Sequence, residues 1–94
     1  MDINKALRTA VSTGKVYFGI NEAKKAIAEG QAKLIILSSN CPESFINEIV
    51  KNTKISSYNF KGSNVELGST CGKPFPISVL TIIKPGKSNI LQLK

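Results

Sequence analysis

The chain contains no histidine and no tryptophan, and only two cysteines, Cys41 and Cys71. Each shortage excludes something. Histidine is the commonest general base, so its lack weighs against hydrolytic chemistry. A zinc site needs about four Cys or His ligands, which this chain does not supply, and no CxxC pair occurs. One disulfide could be built on counting, but in a reducing compartment the cysteines read as two small, semi-buried thiols. Long apolar runs are missing too: no window approaches the roughly 18 residues of a membrane span. The N-terminal "MDINKALRT" lacks the basic-then-apolar order of a secretory signal, so a soluble, intracellular protein is expected. Acidic residues are scarce as well. Six Asp and Glu stand against 13 Lys and Arg, a net charge of +7. Such an excess on a small chain points to a polyanionic partner. The bland alternative is solubility. No basic block stands out, so any patch must be assembled by folding.

Catalytic motifs are lacking in the same way. Ser and Thr abound, but no GxSxG elbow accompanies them. The glycines of "GSNVELGSTCG" do not form GxGxxG, and no GKS or GKT closes a phosphate loop. The carboxylates do not cluster by spacing. An enzyme with a thiol nucleophile at Cys41 or Cys71 would need an exposed thiol of low pKa. No enzyme, cofactor or metal is expected.

What is present is a strict alternation of elements. The 94 residues suit one domain, 1–94, and an apolar fraction of 41 % suffices for a continuous core. Ile3, Ala6, Leu7, Ala10 and Val11 repeat at helical spacing, and Gly14 stops that helix. "KVYFG" is a short strand. "INEAKKAIAEG" is a helix with Ala23, Ala26 and Ile27 inward and Gly30 at its end. Leu34 to Leu37 is a continuous apolar run, typical of a strand covered on both faces. Pro42 suits the first turn of a third helix, with Phe45, Ile46, Ile49 and Val50 as its apolar stripe. Ile55 to Phe60 is a third strand. Ser63 and Glu66 have the spacing of a capping box, which predicts a short helix from about Val65 to Cys71. "KPFP" is a loop, because two prolines cannot sit in a central strand. "ISVLTIIK" is the fourth strand, followed by a turn and one helical turn in the tail. Helices alternating with strands predict an α/β fold, a four-stranded sheet with helices on both faces.

The segment "GINEAKK", Gly19 to Lys25, concentrates functional groups at a helix start. Gly19 allows a tight turn and the close approach of a partner. Asn21, Glu22 and Lys25 share one face. The amides there are unpaired and the dipole is positive, which suits a phosphate. Amide and carboxylate groups can read base edges. The alternative is ordinary capping, with Asn21 as the cap, Glu22 complementing the dipole and Lys25 solvated.

The motifs "GQAKLIILSSNCP", "SNVELGSTCGKPF" and "TIIKPGKSNI" cover most of the chain between Lys15 and Ile90. On these the sequence resembles the L-thirty-e family of archaeal and eukaryotic large-subunit ribosomal proteins, within the L-seven-A-e superfamily of kink-turn RNA binders. The resemblance implies a three-layer α/β/α sandwich around a mixed four-stranded sheet. It implies a structural protein that binds a kink-turn in large-subunit rRNA and holds it bent. It also implies neighbouring ribosomal proteins as partners, a monomer when free, and a cytoplasmic location on the ribosome. The compact length reads as archaeal, and the early end after "SNI" leaves no long extension to add a contact. By residue, the resemblance places RNA at Gly19, Asn21, Glu22 and Lys25, at Asn40, and at Lys73, Phe75 and Ile77. Kink-turns expose sheared G·A pairs and an unstacked base, read through edges and stacking. Asn21 and Glu22 would read guanine edges, Phe75 would cover an extruded base, and Lys25 and Lys73 would meet phosphates, with Lys15 and Lys33 as further candidates. Other roles stand beside these. Phe75 could plug the core edge, and Asn40 could be a turn residue or the cap of the third helix. Tyr17, Phe18, Tyr58 and Phe60 read as core and sheet residues. Finally, "NEAKK" is similar to the wider superfamily, including the box C/D guide-RNA proteins. A second reading is therefore a kink-turn protein serving several RNAs.

Overall fold

The structure is a computed structural model that describes residues 3–50 and 55–92. Its elements follow the expected order. Helix α1 (Ile3–Thr13) leads to strand β1 (Lys15–Phe18), helix α2 (Ile20–Ala28) and strand β2 (Leu34–Leu37). The short helix α3 (Glu43–Phe45) continues as a π-helical segment, Ile46–Val50, and is followed by β3 (Ser56–Asn59), α4 (Asn64–Thr70) and β4 (Val79–Lys84). A 3-10 turn, Ile90–Gln92, ends the described chain.

The sheet order is β1-β4-β2-β3. β4 runs antiparallel to both β1 and β2, and β2 pairs in parallel with β3. The sheet is therefore mixed. The two central strands are β2 and β4, which explains why both are apolar at nearly every position. Alternation then sorts their side chains to opposite faces. Leu34, Ile36, Leu80 and Ile82 pack with Ala6, Leu7 and Ala10 of α1, Leu67 of α4 and Ile90. Ile35, Leu37 and Val79 pack with Ala23 of α2, Cys41 and Phe45. Helices thus cover both faces, giving the expected α/β/α layering.

Two elements differ from the sequence expectation. The third helix is a single α-turn followed by a π-helix. Its β-branched residues Ile46, Ile49 and Val50 lower α-helix propensity. Phe45 of its stripe is buried and Ile46 half-buried; the side chains of Ile49 and Val50 lie outside the described residues. The fourth strand starts at Val79 rather than Ile77. The reason is that the Ile77 N–H donates to the Asn64 carbonyl of α4 (2.8 Å) instead of joining the ladder.

Strand direction decides which loops meet. β1, β2 and β3 finish at the end of the sheet where β4 begins. There the Gly19 N–H donates to the Val79 carbonyl (2.9 Å) and the Ser38 N–H to the Ser78 carbonyl (3.0 Å). The Ser39 N–H donates to the Gly62 carbonyl (2.8 Å). Four loops separate in sequence are stitched together at this end.

Candidate nucleic-acid interface

Gly19 sits at the junction of β1 and α2 with φ 99° and ψ 164°, a conformation open essentially to glycine alone. It is the N-cap of α2, and no side chain caps this helix. Its carbonyl accepts the Ala23 N–H (3.1 Å), so the amides of the first turn have no intrahelical partner. Nothing lies within 4 Å of where a Cβ on Gly19 would point, so the strained turn faces open space.

Asn21 and Glu22 are therefore second and third residues of the helix, and Asn21 is not its cap. Both are exposed, as is Lys25. No hydrogen bond or ion pair engages these three side chains among the described residues. They form one polar surface that the fold itself does not use.

A concavity of about 290 Å³ separates this helix start from the loop before β4, lined by Phe18, Gly19, Ile20, Phe75, Pro76, Ile77 and Ser78. Phe75 forms its wall and is 45 % exposed, unusual for so large an apolar side chain. The Phe75 ring meets Phe18 edge-to-face at 6.0 Å, and the Lys73 ammonium lies 5.4 Å from the centre of the Phe18 ring. Phe18 thus holds Phe75 and Lys73 in place from beneath. Ile77 differs from its neighbours: it is 2 % exposed and packs in the α1-side core. It shapes the floor of the concavity and leaves little free surface of its own.

Asn40 caps a helix, but not the third. That cap is Pro42. The Asn40 Oδ1 instead accepts the backbone N–H of Asn64 (2.9 Å), the first residue of α4, and the Ser38 hydroxyl (3.0 Å). Its Nδ2 donates to Asn64 Oδ1 (3.1 Å). Ser63 completes the job by accepting the Glu66 N–H (3.2 Å), as the capping-box spacing requires. Nothing in the sequence singles out Asn64, yet it joins three loops. It pairs with Asn40, its carbonyl holds Ile77, and its Nδ2 lies 3.5 Å from Ser78 Oγ. Gly68 secures the same loop, since a Cβ there would collide with the Phe75 carbonyl, and its own carbonyl accepts the Lys73 N–H (2.9 Å).

Gly19, Asn21, Glu22, Asn40, Lys73 and Phe75 belong to this end of the molecule, Ile77 lies under it, and Lys25 stands farther along α2, in its last turn. Lys15 and Lys33 do not join them. Lys15 opens β1 opposite Lys84, and the Lys33 N–H donates to the Ile82 carbonyl (2.9 Å), both at the far end of the sheet. The thiols are elsewhere as well. Cys41 and Cys71 are both buried and unbridged, on opposite faces of the sheet. Burial pushes the Cys71 thiol up to about 11, against a smaller opposing pull from Lys73, and burial raises Cys41 too. Neither is an activated nucleophile.

Comparison with known proteins names the group to which this architecture belongs. Residues 1–92 match the model of the Ribosomal protein L7Ae/L30e/S12e/Gadd45 family. The chain belongs to that family. Among its L30e-type relatives, the large ribosomal subunit protein eL30 of Methanosphaera stadtmanae is 50 % identical, across 100 % of this chain and 99 % of the relative. The eL30 of Methanoregula boonei is 45 % identical, across 100 % and 97 %. That of Methanocaldococcus jannaschii is 42 % identical, across 99 % and 87 %. These ribosomal proteins are structural, not enzymatic, in keeping with the inert thiols.

Proposed function

We propose that this chain binds a kink-turn in large-subunit rRNA and stabilises its bend. At the coarser level it is a structural protein of the large ribosomal subunit, as its eL30 relatives are, and so works in the cytoplasm beside rRNA and other ribosomal proteins. The observation that carries the finer reading is one convergence. The helix start that carries the unpartnered Asn21 and Glu22, with Lys25 farther along the same helix, borders through Gly19 and Ile20 a concavity whose opposite wall is the exposed ring of Phe75.

The chemistry follows from that arrangement. Glu22 accepts from amino and imino hydrogens of guanine, and Asn21 offers an amide that both donates and accepts. Phe75 presents an apolar face to a base extruded from the bend. Lys25 and Lys73 meet phosphates on either side. No covalent step is required, and a monomer suffices.

The test is a titration against a short kink-turn RNA and a control in which its tandem G·A pairs are replaced by Watson–Crick pairs, at two salt concentrations. Preference for the kink-turn that survives higher salt is the expected result. Equal, salt-sensitive binding to both would reduce the site to a basic surface. The "NEAKK" segment favours a second reading, in which box C/D-type guide RNAs are bound as well. A panel of such RNAs separates it from a ribosome-only role.

A further inference from the structure

Charge also collects at the end of the sheet that the candidate interface does not use. β1 begins there and β4 finishes there, so Lys15 and Lys84 are partners across the ladder, next to an irregularity between Lys15 and Val16, and the Lys15 ammonium lies 5.7 Å from the centre of the Tyr17 ring. Lys33 arrives at the same end through its bond to Ile82. Lys87 follows β4 in a turn pinned to the end of α1, where its N–H donates to Thr13 Oγ1 (2.9 Å). Two glycines make that pin tight. A Cβ on Gly14 would collide with the Lys84 carbonyl and the Gly86 amide, and a Cβ on Gly86 would collide with Thr13 and Gly14. The turn is thus held rigidly, and it holds its lysine with it.

All four lysine side chains are exposed, and no ion pair engages them among the described residues. Glu22, Glu43 and Glu66 sit in the first turns of helices that start at the opposite end. Glu29, the C-cap of α2, lies toward the lysine end, where the four lysines outnumber it. Like charges directly opposite in a sheet are destabilising. A phosphate between Lys15 and Lys84 would turn that repulsion into attraction.

Distance separates the two ends. The six residues of β4 span roughly 17 Å, beyond the Debye length of about 8–10 Å at moderate salt. Phosphates held at the lysine end are therefore largely screened from those held near Lys73. The lysine set brings charge without directional amides or carboxylates, which suits a phosphate backbone and carries no base readout.

We propose that Lys15, Lys33, Lys84 and Lys87 form a second RNA-contacting surface, which takes the backbone of an RNA segment other than the one bent at the Gly19 end. The chain would then clamp two segments together. The choice of RNA as partner rests on the reading of the first interface.

The test uses the full chain saturated with short kink-turn RNA and titrated with a labelled, plain RNA duplex at low salt. The wild-type complex is expected to take up the duplex. The variant Lys15→Gln, Lys33→Gln, Lys84→Gln, Lys87→Gln should reduce that uptake by about ten-fold or more, and its salt slope should be shallower by about 0.9 for each phosphate it no longer neutralises. Its affinity for the short kink-turn RNA should not change. The double variant Lys33→Gln, Lys87→Gln leaves the facing pair in the ladder intact, and should show about half the slope change if the full variant does not fold. No duplex uptake by the wild type, equal uptake by the variants, or an equal fall in kink-turn affinity would overturn the proposal. If the kink-turn RNA is not preferred to its control, the first reading fails. Duplex binding by free wild-type and variant protein then still decides the second surface.

Discussion

Glu22 complements the dipole of α2 from its first turn, but its carboxylate has no partner among the described residues and its amide neighbour Asn21 caps nothing. Removing it should cost the fold little. Glu22→Ala is expected to lower kink-turn affinity by about 1–3 kcal/mol, the worth of a base-edge contact, with an unchanged unfolding midpoint. Unchanged affinity in a filter-binding or calorimetric titration would return Glu22 to a purely electrostatic role at the helix start. Phe75 is open to a similar comparison. Phe75→Ala should weaken RNA affinity by about 1–3 kcal/mol. Its cost in stability should stay near the roughly 0.5–1.5 kcal/mol of its edge-to-face packing on Phe18. A collapse in thermal stability would make it a core plug. Gly19, Asn21, Glu22, Lys25 and Phe75 are legible from residue type and motif. Phe18 is not. It lies in an apolar strand, and only the fold shows that its ring carries Phe75 and Lys73.

At the scale of elements, α4 and the loop before β4 act as one piece. Asn40 and Ser63 cap the helix, Asn64 and Gly68 anchor the loop, and the loop carries Phe75. Asn40→Ala removes the acceptor for the first amide of α4, and should lower stability by about 1 kcal/mol in urea unfolding. Ser63→Ala should cost a similar amount. Only the Asn40 variant should also weaken RNA binding, because Asn40 stands at the proposed interface. The alternation of helices and strands can be read in the sequence, because periods of two and of about 3.6 differ plainly over ten residues. So can the cap at Ser63, a local pattern. The tie between Asn40 and Asn64 cannot, because 24 residues separate them and nothing local requires it. The π-helical turn after Phe45 is equally hidden, since its apolar spacing mimics an ordinary helix. The end of the sheet that Lys15 and Lys33 occupy is hidden for the same kind of reason: chain position says little about which end a residue takes until the strand order is known.

At the scale of the molecule, the raised thiols make stability depend on pH. Unfolding lets Cys71 return to its ordinary value of 9.0 from about 11. Between those values the folded chain keeps a proton that the unfolded chain releases, so stability is complete below the lower value and falls as pH rises toward the upper. Urea midpoints across this range should therefore decline more steeply for the wild type than for Cys71→Ala. Parallel declines would assign the effect to other groups. The layered architecture is readable in outline from composition and alternation. Strand order is not, because nothing in a strand's own residues says which neighbour it will take.

That order has a consequence for how the chain matures. Among the described strands β4 is the last to leave the translating ribosome, yet it fills the space between β1 and β2. Until residues 79–84 emerge, β1 has no neighbour in the sheet, and β2 has only β3. Both apolar layers also lack their central side chains. Folding during synthesis would then be a single late event governed by sequence-distant contacts, which form slowly. The loop bearing Phe75 is built only when β4 docks, so a nascent chain could not present that loop before residues 79–84 have emerged.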